Sequence, residues 1–246
     1  RYVINEDGYP IETKGLEQTP KNSIGVLEIV GEMIKYGNPY CYGADEYVAM
    51  ARAFEEDPNI IGHLWIVDTP GGALGSVGPF RDFHNYRKKP LVSRVGMCAS
   101  AGLWTVSPSD HVQVQNDISS MTGSLGVMAT LRSYEKYLEE AGIVDHVINA
   151  DPSSFKNKEF KEALQGDYKL IRKYLLNPAA EKFQQHVKAD RGDKLNTSIE
   201  GILEGRLFYG EESVEYVFAD SIGTMEAAIE KVKELAAVSD FMNSKF

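Results

Sequence analysis

Cysteine is nearly absent: Cys41 and Cys98 are the only two in 246 residues. They lie in unrelated contexts and match no metal-ligand spacing. Free thiols in a reducing compartment are the plain reading, and no metal site is expected. Basic charge is also short. Twenty-six Lys and Arg against 36 Asp and Glu leave a net charge of −10, which argues against nucleic-acid binding through a general basic surface. No apolar run approaches the roughly 20 residues needed to cross a bilayer, so membrane association is expected only if an anchor upstream of Arg1 has been removed. Histidine is sparse as well. None of the five has a context that marks a catalytic base, and there is no His-Glu-x-x-His zinc pattern.

What is present is ordinary globular material, 43% hydrophobic and 25% charged, long enough for one large domain. Residues 1–23 are polar and rich in turn formers and read as a flexible arm. Ile24–Val30, Ile60–Val67 and Leu91–Met97 are apolar and rich in β-branched residues, the pattern of strands buried on both faces. Helices are expected between them. Tyr47, Met50, Ala51 and Phe54 share one helix face, with Asp45 as the expected cap, and a second helix runs from Val77 to Tyr86. Further strands are expected at His111–Gln115, Val127–Leu131 and Val144–Asn149. Helical patterns resume at Tyr168–Lys188, Glu211–Phe218 and Met225–Ala237. The alternation implies an α/β fold of stacked βαβ units, with a mainly parallel sheet and right-handed crossovers. One domain is expected over residues 24–237, with a peripheral helical part at about 168–237 and a tail over 238–246.

Two strand-to-helix junctions carry small residues. The first is Asp68-Thr69-Pro70-Gly71-Gly72, which reads either as a tight turn or as backbone left open to a negative oxygen. The second is Cys98-Ala99-Ser100-Ala101-Gly102, where Ser100 reads either as a packing or capping serine or as a nucleophile beside the free amides of a helix start. In a parallel sheet both junctions lie at the carboxyl edge, where ligands bind. With no histidine singled out, a lysine of lowered pKa is the alternative base. Lys156, Lys158 and Lys161 are the candidates by position.

Five stretches in order resemble the signal peptide peptidase A family of Ser-Lys proteases, whose fold is that of the Clp protease subunit and the crotonases. These are Ile24–Ile34, Trp65–Gly72, Cys98–Trp104, Thr122–Val127 and Ala219–Gly223. The resemblance implies that Ser100 is the nucleophile and that Gly71 or Gly72, with the amide of Ala101, forms the oxyanion hole. It implies that Lys156 in Ser153-Ser154-Phe155-Lys156 is the base, with Lys158 as second choice, and that Ser124 supports the dyad. It implies no cofactor, a peptide or protein substrate, and a homo-oligomer. Ala101 and Leu103-Trp104 depart from the family's Gly and Tyr-Tyr, and the lysine segment lacks the family's glycine.

The expected activity is therefore that of a serine endopeptidase. Of two branches, a phage-type protease that trims scaffold in the prohead fits better than a peptidase of released signal peptides. The expected location is the cytoplasm of a phage-infected or prophage-bearing bacterium, with membrane association as the alternative. Two readings of other classes compete. A crotonase-type acyl-CoA enzyme would need a catalytic Glu or Asp, and an inactive scaffold would only bind peptides.

Overall fold

The computed structural model describes residues 2–13 and 19–243. The chain divides into two compact units, Arg1–Leu125 with His186–Phe246, and Gly126–Gln185. The second of these units lies inside the span 24–237 expected as one domain.

The first unit is built on one mixed sheet. Its strands are β1 (Tyr2–Ile4), β2 (Pro10–Glu12), β3 (Ser23–Val30), β4 (Ile60–Thr69), β5 (Leu91–Ala99), β6 (His111–Val114), β7 (Met121–Gly123), β8 (Leu207–Tyr209) and β9 (Ser221–Ile222). In space the main path runs β2-β1-β3-β4-β5-β6-β9. From β3 to β9 every neighbour is parallel, as near-continuous apolar runs require when both faces are covered. The outer hairpin β1–β2 is antiparallel and docks on β3 through Val3–Gly25 and Ile4–Ile24. Within the flexible arm expected over 1–23, residues 2–4 and 10–12 are strand. Val3 and Ile4 are buried, and that apolar anchorage outweighs the surrounding polar residues. Residues 14–18 of the arm lie outside the described residues.

Strand β5 changes partner along its length. Val92–Val95 pair with β6, and Met97–Ala99 pair with β7. β7 in turn pairs antiparallel with β8. The strand expected at 127–131 is absent; ladder pairing stops at Gly123. The strand expected at 144–149 is absent too. Its apolar side chains are exposed, Ile148 to 90%, because the described residues offer it no sheet edge.

Helices α1 (Ala44–Glu56), α2 (Val77–Tyr86) and α3 (Ala101–Val106) follow the strands as expected. Asp45 does not cap α1. The cap is Gly43, and the Glu46 carboxylate accepts from the Gly43 amide at 2.8 Å and the Gly37 amide at 3.0 Å. The longer glutamate reaches back over the first turn where Asp45, already inside the helix, has no free donor to meet. The second unit holds α4 (Glu135–Glu140), α5 (Lys158–Leu164), α6 (Lys169–Ile171), a π-type turn at Arg172–Leu176 and most of α7 (Asn177–Arg191). The chain closes with α8 (Gly210–Glu215) and α9 (Met225–Asn243). The tail expected over 238–246 is helix through Asn243; residues 244–246 lie outside the described residues. Ala228, Ile229 and Val232 of α9 pack on Ile24, Val26, Leu64 and Val92 of the sheet. Each Val, Leu or Ile side chain removed from water here contributes about 1.5–3 kcal/mol.

On the other face, Trp65 of β4 stacks on Phe83 at 5.8 Å and meets Phe80 edge-on at 5.6 Å. His84 lies edge-on to the same indole at 5.3 Å. Its Nε2 is 2.8 Å from the Thr105 carbonyl, and Nδ1 accepts from Arg87, so the ring is assigned as the neutral Nε2–H tautomer. Burial, reinforced by the Arg87 charge, pushes its pKa down to about 3. From pH 6.5 down to that value the unfolded chain binds the extra proton and the folded chain does not, so acid destabilises the fold. We expect the melting temperature to fall as pH drops from about 7 to about 5. His84→Gln should flatten that slope, by up to about 1.4 kcal/mol per pH unit; an unchanged slope would show that other groups carry it.

Candidate active site

The carboxyl ends of β4 and β5 place two backbone turns against each other. At the end of β4, the Thr69 hydroxyl donates to the Gly31 carbonyl at 2.5 Å and accepts the Gly71 amide at 3.0 Å. The Met33 amide donates to the Gly71 carbonyl, and the Ala73 amide donates to the Met33 carbonyl, both at 2.8 Å. The Pro70-Gly71-Gly72 turn is thereby laced to the segment that follows β3. Gly71 has φ +101°, and a Cβ there would sit 2.6 Å from the Ser100 Cβ. Glycine is required twice, for the dihedral and for the close approach.

At the end of β5, Ser100 has φ 54° and ψ −120°. A non-glycine residue in that region is strained, and such strain concentrates at functional positions. A serine at a sharp strand-to-helix turn has the form of the nucleophile elbow of α/β-hydrolases. The strain is held at both ends. The Ser100 amide donates to the Gly123 carbonyl and the Ser100 carbonyl accepts the Trp104 amide, both at 3.0 Å. The hydroxyl makes no capping hydrogen bond to α3. Ser100 is half-buried at the mouth of the turn.

The structure brings Ser100, Gly71, Gly72, Ala101 and Ser124 into one neighbourhood. Ala99 and Gly123 are register partners, so Ser124 follows β7 as Ser100 follows β5. Ser124 also has a positive φ, 53°, and its amide donates to the Arg206 carbonyl at 3.0 Å. Of the two glycines, Gly71 has its N–H engaged by Thr69, whereas the Gly72 and Ala101 amides donate to no backbone carbonyl among the described residues. Gly72 is solvent-exposed. An anionic oxygen between them would therefore meet two uncommitted donors.

Cys98, two residues before the serine, is fully buried, and its thiol is pushed far above the usual range by desolvation and then by Asp68. It is held protonated and is no competitor as nucleophile. Four of the five histidines have partners other than Ser100. His63 meets Glu55, His84 meets Thr105, His111 meets Ser221, and His186 accepts from the Trp104 indole. His146 is exposed in the second unit.

The lysines belong to the second unit. Lys156 lies in the turn before α5, with its amide donating to the Ser153 carbonyl at 3.0 Å and its side chain exposed. Lys158 is 3.7 Å from Glu162 and 5.4 Å from the centre of the Phe155 ring. Lys161 is an exposed residue of α5. Among the described residues no group of His, Cys, Asp and Glu could hold a metal ion, and no helix is long and apolar enough to cross a membrane.

Thr69 is the residue whose role spacing alone does not reveal. It is fully buried, and its Cγ2 lies where a Cβ on Gly102 would sit, 2.5 Å away. One side chain thus fixes the glycine turn and seats the start of α3. Thr69→Val should lower stability by about 1–3 kcal/mol through the orphaned Gly71 amide, and Gly71→Ala should cost at least as much through strain and overlap with Ser100. Thermal unfolding with peptide hydrolysis at a permissive temperature checks both. Full activity in Gly71→Ala would show that the close approach is dispensable.

The chain is similar to known proteins over most of its length. The chain is 24% identical to Protease 4 of Salmonella typhi over 232 residues, 91% of this chain and 37% of that protein. It is 25% identical to Capsid assembly protease C of Escherichia phage lambda over 228 residues, 87% of this chain and 49% of that protein. The chain thus spans less than half the length of these two relatives. Among solved structures, a point mutant of ClpP1 from Listeria monocytogenes aligns with a TM-score of 0.48 at 13% identity, covering 83% of this chain and 94% of that one. The sequence model of peptidase family S49 matches residues 82–239, well over half the chain, and the protein therefore belongs to peptidase family S49.

Proposed function

We propose that the protein is a serine endopeptidase in which Ser100 and Lys156 form the dyad. The observation that carries this reading is the strained Ser100 turn, with its hydroxyl uncapped and the Gly72 and Ala101 amides uncommitted beside it. The Lys156 amine takes the Ser100 proton as Oγ attacks a peptide carbonyl. The C=O electron pair moves onto oxygen, and the amides of Gly72 and Ala101 hold the resulting anion. Lys156 then returns the proton to the departing amine, leaving an acyl-serine ester. Water, deprotonated by the same amine, attacks the ester, and collapse releases the acid and restores Ser100. Ser124 holds the amine in place. Lys158, engaged by Glu162, is a weaker candidate than Lys156.

The substrate we propose is a protein trimmed during assembly of a phage head, a reading supported by the similarity to a phage capsid assembly protease. The similarity to Protease 4 keeps a peptide-degrading role as the second reading. We further propose that the chain works as a homo-oligomer. Met128, Val147 and Ile148 of the second unit are 87%, 68% and 90% exposed, an apolar surface that association would cover. The acyl-CoA alternative gains no support from Asp68, the acid at the junction, whose Oδ1 is engaged by the Met97 amide at 3.3 Å.

Wild-type protein should react with a fluorophosphonate probe and cleave casein. Ser100→Ala and Lys156→Ala should each fold and lose at least about a thousandfold in rate, while Lys158→Ala keeps most activity. Normal cleavage by Ser100→Ala would remove the protease reading, and full activity in Lys156→Ala would remove the lysine alone.

A further inference from the structure

A groove of about 620 Å³ opens along the outer edge of β3. β1 pairs with β3 only at Ile24 and Gly25, so from Val26 to Val30 that edge has no described strand beside it. Tyr2, Tyr42 and Tyr47 wall the groove, the last two edge-on at 5.8 Å. Two carboxylates line it, Glu28 from β3 and Glu12 from β2. Glu28 accepts a hydrogen bond from the Tyr2 hydroxyl at 2.7 Å. Among the described residues neither carboxylate forms an ion pair with a lysine or arginine. The phenol of Tyr2 is pushed up by burial and then by Glu28, and that of Tyr47 by burial with contributions from Cys41 and Glu28.

An open strand edge recognises extended backbone. Ring faces and unpaired carboxylates recognise a cation. We propose that this groove binds an extended peptide carrying a lysine or arginine side chain, as a subsite for protein substrate several residues from the bond that is cut. The inference rests on the proteolytic reading of Ser100. Continuity with that site supports it. The groove ends at Val30, and the Gly31 amide donates to the Asp68 carbonyl at 2.9 Å. Met33, two residues further, bridges to Gly72. β3 lies two strands from β5, about 10 Å at the usual spacing, which is about three residues of extended peptide.

The test uses two fluorescein-labelled peptides that differ only in arginine against citrulline. Anisotropy with the Ser100→Ala protein should show about tenfold tighter binding of the arginine peptide at low salt. That difference should shrink severalfold in Glu12→Gln/Glu28→Gln and recover in Glu28→Asp. In wild-type protein the same arginine, placed about three to five residues from the scissile bond, should raise kcat/KM through KM. Equal binding of the two peptides, or a preference unmoved by the double variant, overturns the proposal. A change in sedimentation mass in Tyr42→Ala, with discrimination intact, also overturns it by assigning the face to a second copy. No cleavage of either peptide, with arginine discrimination retained in binding, fails the proteolytic reading and leaves the groove as a peptide site.

Discussion

Ser100 can keep a backbone conformation that costs of order 1–3 kcal/mol only because its neighbours over-determine it. Its amide is tied to Gly123, its carbonyl to Trp104, and Gly71 fills the space at its Cβ. The sheet is what makes this possible. Parallel strands deliver the ends of β4, β5 and β7 to the same rim, so three turns remote in sequence can lock one another. Trp65, Phe80 and Phe83 pack together against one face of this sheet.

The division of labour between side chain and backbone is also clear. Thr69, buried and doubly bonded, sets the shape of the glycine turn. Gly72 stays exposed and free to meet a ligand. Ser107 and Arg81 both reach Asp190, and Arg191 pairs with Asp220. These bonds fasten the last turns of α7 to α2, α3 and the strand end before β9. Ser107 and Arg191 are buried, and each has its hydrogen-bond partner, as buried polar groups require.

Much of this was legible in the residues. The buried strands announced themselves because a parallel sheet covered on both faces leaves continuous apolar runs, and Ile60–Val67 and Leu91–Met97 have no other use. The two junctions were legible because small residues at strand ends have few structural reasons to cluster. The hairpin of residues 2–4 and 10–12 was not, because three-residue strands carry too little pattern and their anchorage on β3 is tertiary. Val127–Leu131 and Val144–Asn149 looked like strands because β-branched alternation reports suitability for a ladder, and the ladder also needs a partner. Glu46 outcompeted Asp45 as the acid at the start of α1 because reach, which composition does not encode, decides which carboxylate finds the Gly37 and Gly43 amides. Among the site residues, which glycine amide is free could be known only from where the Thr69 hydroxyl points.

The switch of β5 from one partner to another has a consequence for how such a chain can vary. The loop between β6 and β7 starts at the Gln115 amide, which donates to the Val95 carbonyl at 2.9 Å, and ends at buried Ser120, so its length sets the phase of β7. Were β7 to slip by a single residue, Thr122 would stand where Gly123 now offers its carbonyl, and Ser124 would turn to the opposite face. Thr122, buried and hydrogen-bonded to Ser213 of α8, would leave its place at the same time, so the packing of β7 and the position of Ser124 depend on one register.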